Sequence, residues 1–343
     1  MDVLTPRQQT ILSLVVREYV DSASPVSSRA LVEHYDLRVS TATVRNELAR
    51  LEELGYLTHP HTSSGRVPTH RGYHYFVERL LGQVELPLHE RRTIAHQFHQ
   101  ARQDFEQWMP LAASVLARTA REAALVTAPQ AAESRYKYLQ LISTRGRSVL
   151  LILVLHRGTV KQQLLTMAEP LTQKALDEIS DRLNQAYSGL AADEVQAHIN
   201  VLPPLEADVA RLVVDIMHRA DAYVVEPVYR YGLSEVLRQP EFTEGEKAHG
   251  LMRVMEERSF LEAVLADALS PEVGSVQVLI GGEGRWDELQ ACSLVLTRYG
   301  VTGFVTGALG VVGPTRMLYG RAISAVRFVA GLLSDLVYGM YAE

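Results

Sequence analysis

Cysteine is almost missing. Cys292 is the only one in 343 residues, which excludes an internal disulfide framework and any thiolate-rich zinc or iron–sulfur site and suits a reducing cytoplasm. Long apolar runs are missing too. The longest, Val149 to Leu155, is far short of the roughly 20 residues that a bilayer-spanning helix needs. The amino terminus has no basic segment leading into an apolar one, so neither membrane insertion nor export is expected. Lysine is absent before Lys137, where every formal cation is an arginine, the side chain whose planar fork suits phosphate and guanine. Acid is absent between Gly55 and Val77, a stretch that holds Arg66, Arg71 and four histidines (His59, His61, His70, His74). With a net charge of -6, any nucleic-acid contact must come from such a local concentration of positive charge.

What is present is a 47% hydrophobic chain long enough for two or three domains. Thr5-Pro6-Arg7-Gln8 reads as a helix start, with Thr5 as cap, Pro6 in the first turn and Gln8 closing a capping box. Ile11, Leu12, Val15, Val16 and Tyr19 then form one apolar stripe. Ser27 can cap a short second helix, and Ser40 a third that runs to Leu54 and stops at Gly55.

In that third helix Val44, Leu48 and Leu51 lie at i, i+4 and i+7 and point at the core. The opposite side carries Ala42, Thr43, Arg45, Asn46, Ala49 and Arg50, small and hydrogen-bonding groups gathered in its first half. Ser40 and Thr41 stand at its start. Such groups at that end enter a major groove in helix-turn-helix proteins; a merely solvated amphipathic helix tolerates the same residues. The next segment favours the first reading. Tyr56 to His59 and Arg66 to Thr69 form two short strands around a tip from Pro60 to Gly65, as in a wing. Arg66 is placed to grip phosphate or a minor groove, and His61, Thr62, Ser63 and Ser64 offer polar groups to phosphate oxygens. For His59 and His61 no carboxylate or cysteine is close enough in sequence to suggest a metal site.

The winged helix is expected over 1–82 and a helical linker over 83–121, split near Met109 by Pro110, with a heptad-like seam that either helps dimerise or packs on the next domain. Strand-like runs then occur at both ends of the remainder, around a largely helical middle. This suggests an α+β domain, 122–170 and 270–343, interrupted by an insertion over 171–269. Gly281-Gly282-Glu283-Gly284 lacks the third glycine of a dinucleotide loop, and Gly307, Gly310 and Gly313 lack the Lys-Ser or Lys-Thr of a P-loop; both read as turns. No nucleophile elbow, zinc-protease helix or histidine–carboxylate cluster stands out, so neither an enzyme nor a cofactor is expected.

The chain resembles the heat-inducible transcription repressor family HrcA. The likeness is carried by Ser40-Thr41-Ala42-Thr43-Val44-Arg45-Asn46-Glu47-Leu48-Ala49, by Pro60 to Thr69 with Gly72-Tyr73, and by Gly310-Val311-Val312-Gly313-Pro314-Thr315-Arg316-Met317-x-Tyr319. His70 and Leu318 stand where the family usually has acidic residues. The resemblance implies an α+β multidomain protein with a winged helix-turn-helix, a GAF-like domain and a dimerisation domain inserted into it. It further implies a homodimer on an inverted-repeat operator in double-stranded DNA, repression of chaperone operons, and an activity supported by the chaperonin. A small-molecule sensor using the GAF-like pocket is the alternative reading.

Overall fold

Thr5 caps the first helix, α1 (Pro6–Ser22), by accepting from the Gln8 amide, and the Gln8 side chain accepts from the Thr5 N–H, closing the capping box read in the sequence. Ser27 caps α2 (Ser28–His34) and Ser40 caps α3 (Thr41–Glu53) in the same local way. In α3, Val44, Leu48 and Leu51 are buried. At about 1.5–3 kcal/mol for each buried aliphatic side chain, these three fix the rotation of the helix. A two-stranded hairpin, β1 (Leu57–Thr58) and β2 (Val67–Pro68), pairs antiparallel with Leu57 opposite Pro68. Helix α4 (His70–Tyr75) follows and runs into a wider turn, Phe76–Leu80.

The computed structural model describes residues 4–60, 65–82, 84–101, 105–131, 135–156, 160–221, 227–242, 245–270, 272–302 and 304–341. Two compact units emerge, one of residues 1–129, 225–301 and 306–343, the other of 130–224 and 302–305.

The helical region expected to break at Pro110 is instead two helices, α5 (Leu88–Gln100) and α6 (Phe105–Ala120), with the chain turning extended at Ala101. Pro110 lies early in α6, where its missing N–H removes one helical hydrogen bond and the helix continues. Strand β3 (Ala123–Thr127) is buried along its whole length and is followed by the two-residue β4 (Gln130–Ala131).

The second unit holds a meander, β5 (Tyr136–Ser143), β6 (Ser148–Leu155) and β7 (Val160–Thr166), and the helices α7 (Gln173–Tyr187), α8 (Ala192–His198) and α9 (Pro204–Asp221). One sheet face, with Leu139, Leu141, Leu151 and Leu153, shares a core with Leu176, Leu183, Val195, Val213 and Met217 of the helices. The outer edge of β5 is closed by α7: the Leu141 N–H donates to Ser180 and the Leu139 N–H to Asn184.

The remaining strands, β8 (Val228–Tyr231), β9 (Gln277–Ile280), β10 (Cys292–Val301) and β11 (Val305–Pro314), join β3 in a sheet of order β8-β3-β11-β10-β9. Helices α10 (Leu233–Val236), α11 (Gly245–Glu256), α12 (Arg258–Ala268) and α13 (Tyr319–Tyr341) complete this unit. Residues 319–340 of α13 are long and apolar enough to cross a membrane by length and composition. The helix is nevertheless a core element, with Ala322, Val326, Val329, Leu333 and Val337 fully buried.

Two expectations change here. The compact division falls at 130 and 224, whereas the sequence suggested an insertion over 171–269. The meander has its own helices and core, while β8, only four residues long, pairs antiparallel with β3 and returns 228–269 to the interrupted domain. Gly307, Gly310 and Gly313, expected in a turn, lie inside β11. At Gly313 the reason is close approach: an added Cβ would lie 1.9 Å from the Glu122 carboxylate.

Glu122 is 6% exposed, and its Oε2 has no hydrogen-bond partner. Burial pushes its pKa well above the ordinary 4.5, against the opposing pull of Arg316 and helped by the negative charge of Glu241. The unfolded chain releases this proton at the ordinary pKa and the fold retains it, so the group's contribution to stability is complete in acid and is lost as pH rises toward the raised value. Glu122→Gln is expected to unfold with wild type at about pH 4 and to gain a widening margin in Tm between about pH 5 and 8, as followed by calorimetry.

Candidate nucleic-acid interface

The outer face of α3 is open. Ala42, Arg45, Asn46, Ala49 and Arg50 are exposed, with Thr41 and Thr43 partly so. Arg45 and Asn46 form no hydrogen bond or ion pair among the described residues. Arg50 is held by Glu53 at 2.7 Å, which places it at the rear of the face. Ser40 is engaged locally: its Oγ accepts from the Thr43 N–H and lies 3.0 Å from the Thr43 hydroxyl. It therefore orders the helix start, leaving Thr41, Ala42, Arg45 and Asn46 as the groups that protrude. The inner flank is tied to α1 by Glu47, which accepts from Gln8 at 3.2 Å and lies 3.7 Å from Arg7.

The wing is fastened from behind. Val26 and Arg66 exchange both backbone hydrogen bonds, at 2.9 and 2.8 Å, so the hairpin is sewn to the segment before α2. The expected tip residues His61, Thr62 and Ser63, with Ser64, lie outside the described residues. Arg66, expected to grip phosphate or a minor groove, turns its side chain onto Glu52 of α3 at 2.7 Å, with 25% exposed. The other Glu52 oxygen meets His59. No carboxylate stands close to His59 in sequence, yet Glu52, seven residues earlier on the last turn of α3, meets His59, just after the first strand of the wing, and Arg66, just before the second. A carboxylate at the edge of an acid-free stretch was the available signal. Of the remaining cations, Arg71 stacks over the Tyr56 ring at 4.6 Å. His70 lies against Gly281, and His74 is 3.7 Å from Glu283. The basic stretch is thus partly spent on internal contacts.

These pairings revise what Arg66→Ala should do. Its charge is already met by Glu52, so the dependence of operator affinity on salt is expected to keep its slope, where loss of a phosphate contact would lower it by about 1. Stability should fall by about 1–2 kcal/mol, since the partly buried Glu52 loses a partner. Salt titrations and thermal unfolding measure the two effects separately.

An exposed reading helix held by buried Val44, Leu48 and Leu51, with a pinned hairpin behind it, defines a winged-helix DNA-binding protein. Residues 1–65 match the family model for the LexA DNA binding domain, and residues 106–323 match that for the HrcA protein C terminal domain. The chain is 45% identical to the heat-inducible transcription repressor HrcA of Roseiflexus castenholzii over 98% of this chain and 96% of that protein. It is also 45% identical to that of Herpetosiphon aurantiacus, over 99% and 97%. A crystal structure described as that of a hypothetical protein shares the fold, with a TM-score of 0.59 over 98% of both chains at 24% identity. The chain belongs to the HrcA family of heat-inducible transcription repressors.

Proposed function

We propose that this repressor binds an inverted-repeat operator in double-stranded DNA as a homodimer in the cytoplasm, each protomer laying α3 in a major groove. In this reading it represses chaperone genes, and the chaperonin sets the fraction of active protein. The observation that carries DNA reading is the unpaired, exposed Arg45 and Asn46 at the forward end of a rigidly seated helix.

Dimerisation is supported by the second face of the β5-β6-β7 sheet. There the cross-strand rows are Tyr138, Val154 and Val160; Gln140, Ile152 and Gln162; and Ile142, Leu150 and Leu164. Seven of these nine residues are apolar and none is charged. Leu164 is 64% exposed, Val160 51% and Tyr138 45%. A meander strand with one solvated face should alternate apolar and polar, whereas β6 is apolar on both faces from Val149 to Leu155. A contiguous patch of this kind marks an interface, and an apolar face without charge can meet its own copy across a two-fold axis.

Footprinting of the purified protein on the DNA upstream of its own transcription unit tests the whole reading. Two protected half-sites related by two-fold symmetry are expected, with occupancy rising when chaperonin is added. A single asymmetric footprint would remove the dimeric part, and no response to chaperonin the regulatory part.

A further inference from the structure

The stretch Thr315 to Tyr319 follows the last strand of the sheet domain, yet it reaches the DNA-binding domain. Arg316, 16% exposed, grips Glu241 with both faces of its fork: Nε donates to Oε1 and one terminal nitrogen to Oε2 at 3.2 Å. That nitrogen also donates to Gln239 at 3.2 Å. The other terminal nitrogen points at the Val20 carbonyl, 3.4 Å away on the last turn of α1. Carbonyls at a helix end lack intrahelical partners and carry the negative end of its dipole, so a guanidinium is a fitting cap. Nearby, Tyr73 of α4 packs on Tyr319 with ring centroids 5.8 Å apart. A second point of attachment lies at α4. The His70 ring fills the space over Gly281, where an added Cβ would come within 2.2 Å of it, and His74 faces Glu283.

We infer that Arg316, braced by Glu241, is a positioning residue that clasps the winged helix to the sheet domain and so sets the spacing of the two reading helices in the dimer. The inference rests on the dimeric, two-half-site reading above. Two helices must enter grooves one turn of DNA, or a multiple of it, apart. A winged helix free to pivot against the sheet domain loses that freedom when both half-sites are filled, whereas a clasped one has lost it already. The clasp therefore acts on binding to the full repeat and hardly at all on binding to one half.

The test uses full-length Arg316→Gln and Glu241→Gln, the latter nearly isosteric and least disturbing to folding. Spin labels on Arg29→Cys and Glu235→Cys report the pivot. Both side chains are exposed, and the native Cys292 is buried with its thiol pushed up to about 12, out of reach of the label. Either variant is expected to broaden the label–label distance distribution and to weaken binding to a duplex carrying the footprinted repeat by about tenfold or more. Binding to a duplex cut to one half-site should stay within about twofold, and the double variant should be no worse than the singles. An unchanged distance distribution, equal losses on both duplexes, or tighter binding to the full repeat would each overturn the clasp. If the wild-type protein itself fails to protect two half-sites, the dimeric reading falls and the clasp with it; if it protects them and the variants match it, only the clasp falls.

Discussion

Ile152→Glu is expected to leave the protein folded, monomeric and weaker on its operator by roughly 10²–10⁴-fold, the span that linking two binding sites ordinarily provides. Ile152 lies at the centre of the nine-residue outer sheet face, between Gln140 and Gln162 in its own row. In an isolated protomer a glutamate there faces water and disturbs no core, because the opposite sheet face, with Leu151 and Leu153, does the packing. Across a two-fold axis the same residue meets its own copy, placing two carboxylates in an apolar contact with no cation on either face. Like charges without a partner in such a place cost several kcal/mol. Sedimentation of the variant measures the oligomeric state, and circular dichroism confirms the fold. A dimer that persists would show that the sheet face is not the interface.

Arg45→Ala is expected to lower operator affinity by about 1–3 kcal/mol, and Asn46→Ala by a similar amount, with each relaxing the preference at the base pair it faces. Neither side chain has a partner to lose among the described residues, and both are exposed, so thermal unfolding should be unchanged. This separates them from Arg66, whose removal is expected to act through stability. The two losses should add if the side chains read different base pairs and fall short of the sum if they share one. Titration of both variants on the operator and on single-base changes of it distinguishes these cases. Wild-type affinity in Arg45→Ala would mean that α3 does not present this face to DNA.

The reading helix was legible from the chain alone because everything that determines it is local. Ser40 caps it, Gly55 ends it with a φ of 77°, and the 3.6-residue repeat of Val44, Leu48 and Leu51 decides which residues face out. Capping of α1 was legible for the same reason. The run Val149 to Leu155, apolar at every position, also signalled that both faces of β6 need cover, though not what would provide it.

What only the tertiary structure decided is where residues distant in the chain meet. Periodicity marks a strand without naming its neighbour, so the pairing of β8 with β3, and with it the limits of the inserted unit, could not be read from spacing. The glycines of β11 looked like turn residues because the atoms that need their missing side chains, such as the Glu122 carboxylate, come from other elements. A charged side chain has no direction in a sequence. Spacing did not show that Arg66 pairs with Glu52, nor that Arg316 joins Glu241 to the end of α1. Local hydrogen bonds and periodicity determined the elements and the exposed face of α3; the partners of the arginines depend on how the chain closes on itself.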